Sequence, residues 1–337
     1  MANIRVAING LGLIGRNALK VALERTDIEV VAVNDVAPLE TLAYLIKHDS
    51  NYGTYSRTIE VEDDTLIVGE HRIRALSLSD PSRLPWDELD IDVVLECTGQ
   101  FAEVSRARLH IEAGARKVVV SAPVDTAKSI IMGVNDDELR DGGEIISAAS
   151  GTTNAIAPVI SLIDKNYGVD KIMVTTVHSY LARQVLHDSM AQTLREGRAA
   201  AENIVPTEMA ASRAIRELMP EVGAHFGGLN VRVPNPVVSL ATLVMVLKNE
   251  TSTIEVNNLI KDSVKQPFYQ GVLDASSAEL VSSDLKGNSH SAIIDLPLTH
   301  VIDGTLLRIN VWYDNEWGYA NRLVELAADA GRLAHIA

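Results

Sequence analysis

The sequence predicts an α/β protein: an N-terminal Rossmann domain followed by an α+β domain with a largely antiparallel sheet. In the N-terminal half, short β-branched runs alternate with helix-like stretches, which is typical of a parallel sheet with helices on both faces. In the C-terminal half, strand-like runs have one polar face, which is typical of an antiparallel sheet. A glycine-rich turn joins the first predicted strand to the first helix.

The N-terminal elements follow from hydrophobic periodicity. Arg16–Arg25 places Ala18, Leu19 and Leu23 on one helical face, whereas short apolar runs predict buried strands. The predicted strands are Ile4–Ile8, Glu29–Val33, Val93–Glu96, Lys117–Ser121 and Glu144–Ser147, and the helices are Arg16–Arg25, Leu39–Lys47 and Val104–Ala113. Tyr55–Arg74 alternates apolar and polar residues around two turn-like pairs, which predicts an inserted antiparallel hairpin.

The C-terminal elements are predicted in the same way. The strands are Lys171–His178, Leu229–Val233, Ser239–Leu247, Ala292–Asp295 and Leu306–Tyr313, and the helices are Ser150–Lys165, Thr253–Lys265 and Asn321–Ala334. A long polar segment, Ser179–Asn203, separates the first two of these strands.

Composition excludes several classes of protein. The 337 residues are 47% hydrophobic and 22% charged, which is ordinary for a globular chain of about two domains. The single cysteine excludes an intrachain disulfide and a cysteine-cluster metal site, and we expect no metal. A net charge of −15 opposes binding to nucleic acid or anionic membrane. No apolar run reaches about 18 residues, and glycines interrupt the apolar N-terminus, so we expect a cytoplasmic protein.

The first turn carries a dinucleotide-binding pattern. Gly10, Gly12 and Gly15 form G-x-G-x-x-G between a predicted strand and helix. The first glycine permits the tight turn, the second lets a pyrophosphate approach the backbone, and the third lets helix and strand pack closely. Leu13 and Ile14 lie at the helix start, where N–H groups and the helix dipole favour phosphate. The pattern predicts a bound NAD.

Asp35 ends the next strand, about twenty residues beyond Gly15. Its carboxylate would accept hydrogen bonds from the adenosine ribose and repel a 2′-phosphate, which favours NAD over NADP. Two simpler interpretations stay open: a glycine turn with no ligand, and an aspartate that only caps a helix. How strictly NAD is preferred is also open.

A mid-chain turn carries the second group of candidates. Ser150-Gly151-Thr152-Thr153-Asn154 lies where a strand passes into a helix, and a helix N-terminus stabilises anions and thiolates. His178 ends a later strand, and Arg232 lies on another.

Because of these motifs, the chain resembles the phosphorylating glyceraldehyde-3-phosphate dehydrogenase family, including its erythrose-4-phosphate dehydrogenase branch. The resemblance spans essentially the whole length and is closest at Val6–Gly10, Arg198–Asn203 and Trp312–Asn321. It implies a glycolytic reaction in which a cysteine thiolate attacks a phosphorylated sugar aldehyde, hydride passes to NAD, and inorganic phosphate cleaves the thioester. It also implies a homotetramer, in which Ser179–Asn203 reaches a neighbouring subunit's cofactor.

The resemblance assigns roles residue by residue. His178 corresponds to the catalytic base, and Arg195 and Arg232 to arginines that hold phosphate oxyanions. Asn315 corresponds to the residue that fixes the nicotinamide carboxamide, and Tyr319 to the aromatic packed against the ring. We assign further substrate contacts to Ser150 and Thr152, and further cofactor contacts to Asn9, Leu13, Ile14, Thr98, Gly99 and Ser121.

The sequence departs from the family at the nucleophile. Gly151 stands where the family has its cysteine. The hydroxyls of Ser150 and Thr152 are far less ionised than a thiol near pH 7, so neither replaces it. Cys97 is interpreted as a small buried residue, not as a substitute nucleophile. We therefore predict that the chain as written forms no thioester.

Three other positions depart as well. Leu181 stands where many members have a threonine that donates to the substrate phosphate, although the erythrose-4-phosphate branch also has an apolar residue there. Met209-Ala210 replace a Thr-Gly pair that holds the attacking phosphate, and Leu13 replaces an arginine. Which sugar phosphate aldehyde is used, and whether phosphate is captured, stay open.

Several interpretations of Gly151 remain. It is either an engineered removal of the nucleophile or a natural glycine in a noncatalytic NAD-binding or regulatory homologue. A third alternative is a nonphosphorylating or hydrolytic enzyme that uses activated water. We place the NAD-binding domain at residues 1–150 and the catalytic domain at 151–314, and expect the final helix, 315–337, to pack back on the first domain.

Overall fold

The computed structural model describes residues 3–335, which form two compact units. The first unit contains the chain up to Ile130, Asn135–Ala149 and the chain from Ala320 onward. The second contains Ile131–Val134 and Ser150–Tyr319. The predicted domain limits, 1–150, 151–314 and 315–337, include residues 1–2 and 336–337, which lie outside the described residues, and these limits stay predictions.

The first unit alternates strands and helices. Its elements are β1 (Ile4–Asn9), α1 (Leu13–Ala22), β2 (Ile28–Asn34), α2 (Leu39–Lys47), β3 (His48–Asp49), β4 (Gly53–Thr54), β5 (Ile59–Glu62), β6 (Thr65–Val68), β7 (His71–Leu76), β8 (Val93–Glu96), α3 (Val104–Glu112), β9 (Lys117–Val120), β10 (Lys128–Ser129) and β11 (Ile145–Ser147).

The main sheet of this unit has the order β10-β11-β9-β8-β1-β2-β7-β6-β5, and its pairings from β10 to β7 are parallel. The predicted Rossmann fold is confirmed. The predicted hairpin is present as antiparallel β5–β6–β7 and extends the same sheet, because β7 pairs in parallel with β2. The central strands are largely apolar, with Val6, Ile8 and Val94 fully buried, as expected for a sheet covered on both faces.

The second unit is built on another sheet. Its elements are α4 (Gly151–Tyr167), β12 (Val169–Ser179), β13 (Val205–Glu208), α5 (Ala211–Leu218), α6 (Pro220–Gly223), β14 (Phe226–Val233), β15 (Ser239–Leu247), α7 (Thr253–Ser263), β16 (Leu273–Ser276), β17 (Ala292–Asp295), β18 (His300–Ile302) and β19 (Leu306–Tyr313), and α8 (Trp317–Ala334) follows. Short 3₁₀ helices lie at Pro81–Arg83, Asp136–Asp141, Pro267–Tyr269, Ser282–Leu285 and Leu296–Leu298.

The second sheet runs β13-β14-β12-β15-β19-β17-β16 and is largely antiparallel, as predicted. Two pairs, β12–β14 and β16–β17, are parallel. On β15, buried Ala241, Leu243 and Met245 alternate with more exposed residues, so one face packs inward and the other is more accessible. Across residues 3–335, no helix combines the length and the apolar character needed to cross a membrane.

Candidate dinucleotide cleft and active site

The glycine turn is shaped by close packing. Gly10 has a φ of +93°, and a Cβ there would lie 2.8 Å from the backbone nitrogen of Thr98. A Cβ on Gly15 would lie 1.9 Å from the carbonyl oxygen of Gly10, so the start of α1 packs directly on the turn. A Cβ on Gly12 would meet nothing within 4 Å. The first and third glycines are required for packing, and the second leaves its face of the turn open.

A cavity of about 270 Å³ lies beside this turn, lined among others by Gly12, Asp35, Thr98 and Phe101. Gly12 is the N-cap of α1 and brings no side chain to the N–H groups of the first turn. Such N–H groups bind anions. The open face at Gly12 and the carboxylate at the cavity wall therefore fit a dinucleotide with its pyrophosphate at the helix start.

Asp35 connects the cavity to the turn. Its Oδ2 accepts the Leu11 N–H at 2.7 Å, and its Oδ1 accepts the Ala37 N–H at 2.9 Å. A carboxylate offers about four acceptor sites, so these two bonds leave capacity for ribose hydroxyls. The same side chain can brace the glycine turn and bind a ribose.

The remaining first-unit candidates surround the cavity or support it. Leu13 and Ile14 are half-buried on the first turn of α1. Gly99 has a φ of +69°, and a Cβ there would meet nothing within 4 Å. The amide of Asn9 is buried and bonded within the protein, and the N–H of Ser121 donates to the Glu96 carbonyl at 2.9 Å. Asn9 and Ser121 are therefore tied to the sheet itself.

Cys97 lines the same cavity and is half-buried, whereas the sequence predicted a buried residue. Burial, reinforced by the nearby Glu96 charge, raises the pKa of its thiol to about 12. The thiolate, not the thiol, is the nucleophile. Cys97 is therefore unsuited to nucleophilic attack near neutral pH.

In the second unit, α4 begins at the glycine. Ser150 is the N-cap, and its Oγ accepts the Thr153 N–H at 3.1 Å. The Thr152 hydroxyl hydrogen-bonds to the Tyr313 hydroxyl at 3.0 Å. A Cβ on Gly151 would lie 3.1 Å from the Asn315 carbonyl oxygen. Both neighbouring hydroxyls are engaged in structural bonds, and position 151 itself offers no reacting atom.

Ser179 brings the predicted residues together, although the sequence did not single it out. Its carbonyl oxygen accepts the His178 Nδ1–H at 2.8 Å and the Arg232 Nη1–H at 3.3 Å. Its hydroxyl donates to Asn315 Oδ1 at 3.0 Å. The parallel register of β12 with β14 pairs His178 with Arg232, which places the two side chains on one face.

His178 is 6% exposed and lies edge-on to Tyr313, with ring centres 5.9 Å apart. Burial and the neighbouring Arg232 charge lower its pKa to about 3. The ring is therefore neutral at physiological pH. Because Nδ1 carries the proton donated to Ser179, Nε2 holds the lone pair. His178 therefore has the protonation state that a general base requires, and its lowered pKa makes it a weak one.

Arg232 is also buried, and burial lowers its pKa. Arg183, which the sequence did not suggest, lies close enough for its charge to contribute, and pairs with Glu196 at 3.6 Å. Arg195 is exposed in the polar segment, and within residues 3–335 no hydrogen bond or ion pair joins it to His178 or Arg232. The structure pairs Arg232 with the histidine, and the phosphate role of Arg195 stays a prediction.

Asn315 has a defined orientation. Its Oδ1 accepts hydroxyls from Ser179 at 3.0 Å and Ser239 at 3.1 Å. These two bonds use only the oxygen of the side-chain amide, so the amide nitrogen can donate to a ligand carbonyl. Tyr319 is buried, and its Cβ lies 3.5 Å from an ideal Cβ on Gly151. Asn315, Tyr319 and Gly151 therefore adjoin.

Two departures from the family are also visible. Met209 is buried, and a Cβ on Gly228 would lie 2.7 Å from its sulfur. Leu181 is half-buried, and its N–H donates to Gln184 Oε1 at 3.0 Å. Both positions present apolar side chains where the family has hydroxyl donors. Nowhere in the described chain do three or more His, Cys, Asp or Glu side chains form a group suited to a metal ion.

Comparison with known proteins covers both units. Residues 4–104 match the model for the glyceraldehyde 3-phosphate dehydrogenase NAD binding domain, and residues 150–315 match the model for its C-terminal domain. The chain is 42% identical over 335 residues to glyceraldehyde-3-phosphate dehydrogenase 2 of Bacillus subtilis, covering 98% of each chain. It is 40% identical over 334 residues to glyceraldehyde-3-phosphate dehydrogenase of Xanthobacter flavus, covering 98% of this chain and 99% of the relative.

A third relative, glyceraldehyde-3-phosphate dehydrogenase of Mycolicibacterium smegmatis, is 41% identical over 338 residues and is covered to 99%. The expected cofactor is therefore NAD, and the fold is the one these relatives imply. The chain belongs to the glyceraldehyde-3-phosphate dehydrogenase family, as an NAD-binding oxidoreductase scaffold.

Proposed function

We propose that this chain binds NAD and a phosphorylated short sugar aldehyde, such as glyceraldehyde 3-phosphate, but does not carry out phosphorylating oxidation as written. One observation carries the proposal: α4 begins at Gly151, which has no side chain at the position of attack. Without a thiol there is no thioester for inorganic phosphate to cleave. The neighbouring hydroxyls of Ser150 and Thr152 are already bonded within the protein.

The other roles follow from the side chains that Ser179 connects. His178 Nε2 would accept the substrate proton, and Arg232 would hold a phosphate oxyanion with its planar guanidinium. The amide nitrogen of Asn315 would bind the nicotinamide carboxamide. NAD, when bound, supplies the hydride acceptor. Arg195, Ser150 and Thr152 as substrate contacts, the homotetramer, the glycolytic role and the cytoplasmic location stay predictions.

Two observations favour alternatives. The buried thioether of Met209 replaces a hydroxyl where the family captures inorganic phosphate, which favours a noncatalytic NAD-binding or regulatory homologue. The apolar Leu181 favours erythrose 4-phosphate as the aldehyde, because that branch also lacks the threonine.

The test compares the chain as written, here called the wild type, with Gly151→Cys and Gly151→Ser. NADH formation is followed with glyceraldehyde 3-phosphate or erythrose 4-phosphate, with and without inorganic phosphate. We expect no turnover from the wild type or Gly151→Ser, and phosphate-dependent turnover from Gly151→Cys.

Three results would change the assignment. An inactive Gly151→Cys that still binds NAD supports the noncatalytic homologue. Turnover by the wild type without phosphate supports the activated-water alternative. A wild-type chain that fails to bind NAD in calorimetry overturns the proposal altogether.

A further inference from the structure

A buried polar cluster lies beneath the dinucleotide cleft. Trp86 and His110 are fully buried, and Glu96 is 1% exposed at the end of β8. The indole N–H of Trp86 donates to His110 Nδ1 at 3.0 Å. Because an indole nitrogen only donates, Nδ1 must be the acceptor, and the imidazole proton lies on Nε2. That Nε2–H faces Glu96 Oε2 at 3.1 Å, so His110 acts as a neutral donor to the carboxylate.

The Glu96 carboxylate also accepts hydrogen bonds from residues in the walls of the cleft. Its Oε2 accepts Asn9 Nδ2–H at 2.5 Å, and its Oε1 accepts the Thr98 N–H at 2.7 Å as well as the Thr98 hydroxyl. The carbonyl of the Asn9 amide accepts Asn34 Nδ2–H at 2.7 Å. Asn9, Asn34 and Glu96 end β1, β2 and β8, so two successive hydrogen bonds that start at this carboxylate join three strand ends.

The same residues form the cleft. Asn9, Asn34 and Thr98 line the cavity beside Gly12 and Asp35. Glu96 itself does not line the cavity, but it is hydrogen-bonded to residues that do. A buried carboxylate is costly unless donors surround it, and here the donors come from the residues that form the cavity.

We propose that Glu96 is a positioning residue for dinucleotide binding, with its carboxylate oriented by His110 and Trp86. It fixes Asn9 and Thr98 before the ligand arrives, which lowers the ordering cost of binding. The inference rests on the proposed NAD binding of this chain. It adds residues that support this binding without lining the cavity.

The same strand provides a matched control. Asp92 precedes β8 at its opposite end, is also 1% exposed, and accepts the Arg5 N–H at 2.9 Å and Arg116 Nη1–H at 2.8 Å. Glu96→Gln and Asp92→Asn are therefore the same carboxylate-to-amide change at the two ends of one strand. Both should lower stability, but only the first alters a group bonded to the cleft.

NAD affinity is measured by calorimetry at a temperature at which circular dichroism shows each variant folded. In Glu96→Gln, an amide nitrogen replaces an acceptor oxygen and opposes the donors of Asn9 or Thr98. We expect the Kd for NAD to rise about tenfold in Glu96→Gln and to stay within about twofold of wild type in Asp92→Asn.

A second pair of variants tests the same proposal if Glu96→Gln does not fold. His110→Gln can still donate to Glu96 and accept from Trp86, whereas His110→Leu can do neither. We expect near wild-type affinity from the first and a Kd raised about threefold to tenfold from the second.

The outcomes separate the two claims. If the wild type binds NAD and Glu96→Gln matches it, or if Asp92→Asn weakens binding equally, the positioning role is wrong and the proposed function stands. Equal affinities of His110→Gln and His110→Leu overturn the role of His110 in orienting Glu96. If the wild type does not bind NAD, the proposed function fails first.

Discussion

The neutral, buried state of His178 has a measurable consequence for stability. Its pKa is lowered to about 3 in the folded protein by burial and the Arg232 charge, against 6.5 for an ordinary histidine. As the pH falls below 6.5 the unfolded chain takes up a proton that the folded chain does not. The free energy of unfolding therefore decreases on acidification, by up to about 1.4 kcal/mol per pH unit until the folded pKa is reached.

The size of the effect follows from the unfolded-state titration. Between pH 7.5 and 5.0, protonation of one ordinary histidine stabilises the unfolded chain by about 2 kcal/mol. We expect the wild type to lose about 2 kcal/mol more over this range than His178→Gln, in which the group is absent. The glutamine also disturbs the bond to Ser179, but that loss occurs at both pH values and cancels in the difference.

The assay is urea denaturation of both chains at the two pH values, at one fixed protomer concentration. The exposed His187 provides the control, because His187→Gln makes the same substitution at a position that is not buried. A wild-type and His178→Gln pair that differ by less than about 0.5 kcal/mol in their pH dependence would refute the reasoning. His178 would then have a folded pKa close to that of an ordinary histidine, and burial would not be what keeps its ring neutral.

Three further predictions concern separate parts of the chain. Asp35→Ala should raise the Kd for NAD about tenfold and reduce the preference for NAD over NADP, whereas Asp262→Ala, an exposed aspartate on α7, should do neither; calorimetry with both dinucleotides checks this. Ser252→Ala removes a complete capping box from α7 and should cost about 1 kcal/mol in urea denaturation. Cys97, with its pKa raised to about 12, should react with iodoacetamide at pH 8 at least about a hundredfold more slowly than glutathione; comparable rates would contradict its burial.

The sequence correctly predicted the strands that are buried on both faces. β1, β2, β8, β9 and β11 appear within a few residues of their predicted limits, because a strand buried on both faces is an apolar run wherever it lies. β13 was missed, because Val205–Glu208 contains a proline and two polar residues and is a strand only through its pairing with β14. The parallel pairing of β12 with β14 was missed for another reason: the residues of a strand do not fix the direction of its neighbour.

The candidate site likewise contains residues that the sequence predicted and contacts that it did not. Residue types and spacing identified the glycine turn, Asp35 and, through resemblance, His178, Arg232 and Asn315. Nothing in the sequence connects Ser179 to Asn315, which lies 136 positions away. Such bonds depend on how β12, β15 and β19 pair within one sheet, and they become visible only in three dimensions.

Those hydrogen bonds also bear on how Gly151 should be interpreted. Retained catalytic side chains would ordinarily argue for retained chemistry. Here, however, His178, Arg232 and Asn315 are all bonded to Ser179, so each has a structural reason to persist.

None of these bonds involves position 151. Ser150 caps α4 through Thr153 and not through its neighbour. The nucleophile is therefore the one part of the site that can be lost or restored without rearranging the rest. A Cβ added at Gly151 meets only one contact tighter than ordinary packing, at 3.1 Å from the Asn315 carbonyl oxygen. It follows that Gly151→Cys needs a small shift at the Asn315 backbone, and that an inactive variant which still binds NAD would count against the rest of the site.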